Sequence, residues 1–133
     1  MRELIVTDAA PVPVGPYSVG VGTESLLFCA AQAGLDPSTG RLVPGGTRAE
    51  TEQAMRNLAA VLRADGLSFA DVVKTTIFLV DIAEFADVND VYGRLIGERP
   101  PARTTVGVAA LPIGARIEIE MIAARRRTER GSR

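Results

Sequence analysis

Arg103 is the residue best placed to do chemistry, sitting in the stretch Pro101-Ala102-Arg103-Thr104-Thr105. A proline-stiffened approach releases an arginine at the mouth of a β segment. Its planar fork of donors matches a carboxylate, which it can bind through two parallel hydrogen bonds. The strand that follows, Arg116-Ile117-Glu118-Ile119-Glu120, carries two acids. Alternation puts Glu118 and Glu120 on one face, about 6.6 Å apart at the usual rise, and Ile117, Ile119 and Met121 on the other. Read as chemistry, Arg103 and Glu118 form an anion clamp with a base for water. Read blandly, two acids on one strand face are a solvated face.

The chain has no histidine. That removes Ser-His-Asp and Cys-His hydrolysis, His-paired ribonuclease chemistry and His-rich zinc sites. The single Cys29 cannot form an internal disulfide, lies in an apolar run and has no cationic neighbour in sequence to activate it, so it reads as a small buried hydrophobe. Tyr17, at the turn Gly15-Pro16-Tyr17-Ser18, is either a packing residue or a pocket-lining one. Asn89 sits among apolar positions of a helix and is open to the same two readings.

The elements that must position these residues are legible from periodicity. Leu4-Ile5-Val6 reads as a short strand, and the apolar run 26–33 as a longer one closed by the turn Asp36-Pro37-Ser38-Thr39-Gly40. Small residues in that run imply a surface packed closely against it. Thr47-Arg48-Ala49-Glu50 has the pattern of a capping box, with Ala54, Leu58, Val61 and Leu62 at helical spacing behind it and Gly66 as the stop. Residues 72–80 are β-branched and apolar, which predicts a central strand. Asp81 to Glu84 opens a second helix carrying Phe85, Val88, Tyr92, Leu95 and Ile96, ended by Gly97 and Pro100-Pro101. Thr104 to Val108 and Arg116 to Ala124 are the last strands.

This order predicts an α+β fold, a mixed sheet covered on one face by two helices. Runs 26–33 and 72–80 imply burial on both faces, and no third helix is available. Association of identical subunits supplies the missing cover.

With 133 residues, 47% hydrophobic and 23% charged, the chain is sized for one domain, residues 1–125. Arg125, Arg126, Arg127, Arg130 and Arg133 crowd the C-terminus. The segment 126–133 is expected to be a disordered, solvated tail rather than a phosphate or membrane contact. A net charge of −1 and a pI near 5.5 argue against a nucleic-acid binder. No membrane-length apolar run or secretory signal is present, so a cytoplasmic location and no membrane partner are expected.

Gly15-Pro16-Tyr17, Asp36-Pro37-Ser38-Thr39-Gly40, Val73-Lys74-Thr75-Thr76, Phe85 to Asn89, Pro101-Ala102-Arg103-Thr104 and Ile117-Glu118-Ile119-Glu120 together resemble the YjgF/RidA family, in order and over residues 4 to 125. The resemblance implies a chorismate-mutase-like subunit assembling as a homotrimer round a central β-barrel, with ligand sites between subunits. It implies hydrolysis of reactive enamine/imine compounds (2-imino acids) to 2-oxo acids and ammonia, without metal or organic cofactor. By position, Arg103 is similar to the carboxylate-binding residue and Glu118 to the acid that activates water. Tyr17, Ala30, Asn89 and Thr105 resemble the rest of the substrate pocket. Archetypal members carry serine where Ala30 stands and cysteine where Thr105 stands, and Pro100 replaces a frequent aromatic. The alternatives are a trimeric sensor that holds a 2-oxo acid or other carboxylate without turnover and, less well supported, a ribonuclease.

Overall fold

The computed structural model describes residues 1–125; the arginine-rich segment 126–133 lies outside the described residues. Strands β1 (Glu3–Ile5), β2 (Gly20–Gly22) and β3 (Leu26–Ala33) precede helix α1 (Gly46–Ala64). Strand β4 (Val72–Leu79), helix α2 (Phe85–Ile96), β5 (Ala102–Gly107) and β6 (Ile117–Ala124) follow. The six strands form one mixed sheet in the order β1-β2-β3-β6-β4-β5. Only β4 and β5 run parallel, which is why a crossover element, α2, lies between them in sequence.

The burial pattern follows the period of two. On β6, Ile117, Ile119, Met121 and Ala123 are buried while Glu118, Glu120 and Ile122 are only partly so. On β4, Thr75, Ile77 and Leu79 share the buried face. Against it lie Leu58, Val61 and Leu62 of α1 and Val88 of α2, which join the same core cluster. Both helices therefore cover one face. The expectation of burial on both faces is not met within a single chain, because Phe28 and Val73 remain 42% and 47% exposed.

Helix α1 begins differently from the sequence pattern. Gly45 is its N-cap and no side chain caps it. Thr47 instead donates its hydroxyl to Glu84 Oε1 at 2.5 Å, and Glu50, buried, accepts the Arg116 backbone N–H at 2.9 Å. Both members of the capping-box pattern are drawn to distant partners. Glu50, a buried acceptor, thus satisfies the Arg116 amide at the entry to β6 through a partly buried hydrogen bond. The close packing foreseen for the small residues of β3 is reached just past its end. A Cβ on Gly34 would sit 2.5 Å from Glu50 Cα, so only glycine lets α1 approach so closely.

The other helix end matches the pattern. Gly66, at φ +73°, closes α1 with its amide on the Arg63 carbonyl and the Leu67 amide on the Leu62 carbonyl, a Schellman arrangement. Before α2, Asp81 accepts the Ala83 N–H at 3.0 Å and caps a single 3₁₀ turn, Ile82–Glu84, from which the helix continues.

Arg125 departs from the reading of a solvated basic end. Its guanidinium is only 10% exposed. Nε and Nη2 reach the Asp65 carboxylate at 2.9 and 2.8 Å, Nη2 also reaches Glu3 at 2.6 Å, and Nη1 donates to the Thr23 carbonyl at 2.5 Å. It ties the end of β6 to the C-terminus of α1 and to β1.

Candidate functional site

Arg103 lies on edge strand β5 opposite Thr75 of β4, and Thr105 lies opposite Ile77. Thr75 and Ile77 face the helices, so Arg103 and Thr105 do too. There α2 offers Phe85, Asn89 and Tyr92, whose i, i+4, i+7 spacing sets them on one helix face. Arg103 Nη2 donates to Asn89 Oδ1 at 2.6 Å, and Nε donates to Thr105 Oγ1 at 3.0 Å. The guanidinium carbon lies 5.4 Å from the Phe85 ring centre and 5.1 Å from that of Tyr92. Tyr92 is itself anchored: its hydroxyl donates to buried Thr75 Oγ1 at 3.0 Å, and burial raises its pKa.

Every group holding Arg103 is neutral. Among the described residues it has no ion pair, whereas Arg48, Arg56, Arg94 and Arg125 each have a carboxylate partner. Aromatic faces and amide oxygen orient its charge without neutralising it, which leaves the guanidinium available to an anion.

Glu118 lies opposite Ala33 of β3 and Phe78 of β4. With Tyr17 and Ala30 it lines a cavity of about 260 Å³. Its position depends on an irregularity in β3, where the register with β6 shifts between Cys29 and Gln32. The bulge sets Ala30 and Ala31 together at the cavity wall, and their methyl side chains leave the space open. Burial raises the Glu118 pKa, in the direction expected of a carboxylate turned toward an apolar wall. Tyr17, 47% exposed, stands at the rim, with its hydroxyl accepting the Val14 N–H at 3.3 Å. Glu120 shares the Glu118 face but lines a neighbouring cleft.

The same cavity is also lined by Ile113, in the turn Pro112–Gly114. Its φ of 58° and ψ of 19° are left-handed, a conformation that costs a β-branched residue about 1–3 kcal/mol.

The six residues singled out from the sequence therefore fall into two groups. Arg103, Asn89 and Thr105 meet beside α2, on the covered face of the sheet. Tyr17, Ala30 and Glu118 meet round the cavity on the open face. In sequence, Phe85 and Tyr92 belong to the apolar stripe of a helix, and Phe85 also opens one of the stretches that carry the family resemblance. Asn89, breaking that stripe between them, was the available signal of a polar site. Ile113 had no sequence signal beyond the turn around it. Cys29 is 4% exposed and its thiol is pushed up to about 12, mainly by burial, so it is inert packing as expected. Among the described residues no cluster of three or more His, Cys, Asp or Glu could hold a metal, and no helix is long and apolar enough to cross a membrane.

Comparison with known proteins gives a consistent picture. A family model described as Endoribonuclease L-PSP matches residues 7–125. A mouse protein named 2-iminobutanoate/2-iminopropanoate deaminase is 46% identical over 123 residues, spanning 92% of this chain and 91% of its own. Protein DfrA of Myxococcus xanthus is 48% identical over 124 residues, spanning 92% and 95%. Among solved structures, RidA from the Antarctic bacterium Psychrobacter sp. PAMC 21119 shares the fold with a TM-score of 0.89 and 41% identity, over 92% of this chain and 98% of that one. E. coli TdcF with bound serine shares it with a TM-score of 0.85 and 35% identity, over 92% and 98%.

Proposed function

This chain belongs to the Endoribonuclease L-PSP family, also called YjgF/RidA, and from that premise we propose that it hydrolyses 2-imino acids to 2-oxo acids and ammonia at a site shared between subunits. Relatives at 43–46% identity carry the names 2-iminobutanoate/2-iminopropanoate deaminase and Reactive Intermediate Deaminase. The observation that carries the proposal is the unneutralised Arg103, held by neutral groups and ready for a carboxylate. A relative solved with serine bound holds an α-amino acid, which has the same carboxylate next to a nitrogen-bearing carbon.

In this reading Arg103 binds the substrate carboxylate, with Asn89 and Thr105 holding the guanidinium in place. Glu118 takes a proton from water as the oxygen attacks the protonated imine carbon. The C=N π electrons pass to nitrogen, giving a carbinolamine. Glu118 returns its proton to the amine nitrogen, then accepts the hydroxyl proton as the C–N bond breaks, so that ammonia leaves as C=O forms and carries the last proton away as ammonium. The imine carbon is already electrophilic, so orientation and one base suffice, and the reading calls for neither metal nor organic cofactor. Tyr17 and Ala30 line the pocket beside Glu118.

Arg103 and Glu118 of one chain lie on opposite faces of its sheet, so a second copy must bring its Glu118 cavity to the first copy's Arg103. A homotrimer whose open sheet faces turn inward as a barrel would also cover Phe28 and Val73. A cytoplasmic location belongs to the same proposal. The ribonuclease of the family's description fits less well, since a net charge of −1 gives no electrostatic footprint for a polyanion.

The test generates imines in situ with an amino-acid oxidase and follows the fall in semicarbazide-trappable imine. Wild type should accelerate that fall, and Arg103→Lys should lose most of the effect while remaining folded, because lysine cannot present a fork. Near-normal turnover by Arg103→Lys would sink the assignment.

A further inference from the structure

Ile113 is an anomaly by its own chain's standards. It is β-branched, left-handed at φ 58°, and followed by Gly114, also left-handed at φ 75°. Asn or Gly would make such a turn with far less strain. The side chain is 50% exposed, so burial in its own core does not account for its retention. What it does meet is the cavity holding Glu118, whose wall also includes Val12, Val14, Ala30 and Leu35. Among the described residues that line this cavity there is no lysine or arginine.

Resting on the deaminase reading above, we propose that this wall is the side-chain pocket of the substrate and that Ile113 is its specificity-determining residue. The pocket selects 2-imino acids with branched aliphatic side chains over the smallest ones. Strain at 113 is the cost of placing a branched apolar group against the cavity that Tyr17 and Glu118 also line. There it closes over substrate methyl groups that would otherwise stay in water. Ala30 contributes a methyl group, which adds no hydroxyl to be desolvated at its own position.

The test measures binding of two product-like 2-oxo acids, 4-methyl-2-oxopentanoate and pyruvate, by calorimetry on the full-length assembled protein. A pocket gaining three carbons' worth of apolar contact should hold the branched acid at least about tenfold tighter in wild type. Ile113→Asn, which suits the left-handed turn, should cut that ratio to about twofold without lowering the melting temperature, and Ile113→Leu should keep most of it. A wild-type ratio near one, or a ratio that Ile113→Asn leaves unchanged, overturns the proposal whatever the turnover. The expected ratios in a protein that hydrolyses no imine would uphold the pocket and refute the deaminase reading.

Discussion

Arg103 and Glu118 lie on opposite faces of the same sheet, separated by strand parity rather than by distance along the chain. Both are referred to β4: Arg103 pairs with Thr75 and Glu118 with Phe78, three residues on. An odd offset in a structure of period two reverses the side. Arg103 therefore turns to the helices and Glu118 to the open face.

The proposed sharing of the site between subunits predicts complementation. Arg103→Ala and Glu118→Ala should each be inactive alone. Unfolded together and reassembled, they should recover about one quarter of wild-type imine hydrolysis, since random mixing restores roughly that share of interfaces to two intact halves. No recovery in verified mixed oligomers would place both residues in one subunit's site.

With Glu118 as the proposed base, activity and stability should depend on pH in opposite senses. Burial raises its folded-state pKa above the unfolded value, so the neutral form is favoured by folding. The resulting stabilisation is full below the unfolded pKa and is lost as pH rises through the folded one. Glu118→Gln should accordingly melt slightly higher than wild type at pH 7, with the gain vanishing as both approach pH 4. Its imine turnover should be abolished. In wild type, the acid limb of kcat/KM should lie above the range of an exposed glutamate, which a pH–rate profile would reveal.

The groups round Arg103 should separate into positioning and structural roles. Asn89→Ala removes a charge-assisted bond worth about 1.5–3 kcal/mol and should lower kcat/KM by roughly tenfold or more, mostly through KM, with little change in melting temperature. Tyr92→Phe keeps the ring beside Arg103 but leaves buried Thr75 without its partner. It should cost about 1–3 kcal/mol of stability by denaturant titration, with kcat/KM changed less than by Asn89→Ala.

Arg125 should prove structural. Arg125→Met strands the Asp65 carboxylate, itself 12% exposed, and should destabilise the fold by about 3 kcal/mol. Adding Asp65→Leu should recover part of that loss. A single substitution costing nothing would show that the ion network does not hold the strand end.

Periodicity and turn chemistry by themselves determine much of this protein. The helices could be placed because apolar residues recur every three or four positions, and Gly66 stops α1 because its φ of +73° suits glycine. The shared face of Glu118 and Glu120 followed from strand geometry alone. These are local properties, set by neighbours within a turn or two.

Tertiary structure decided whatever depended on distant partners. Thr47 and Glu50 carry the pattern of a capping box, yet Glu84 and the Arg116 amide claimed them, because both side chains are buried and need polar partners within reach. Arg125 looked like the first residue of a basic tail until Asp65 and Glu3 were brought to it by strand pairing and helix packing. The same holds for Arg103 and Glu118. Sequence identifies both residues and the face each strand offers, but which strands pair, and in what register, is a long-range outcome. That register alone sets them on opposite sides of the sheet.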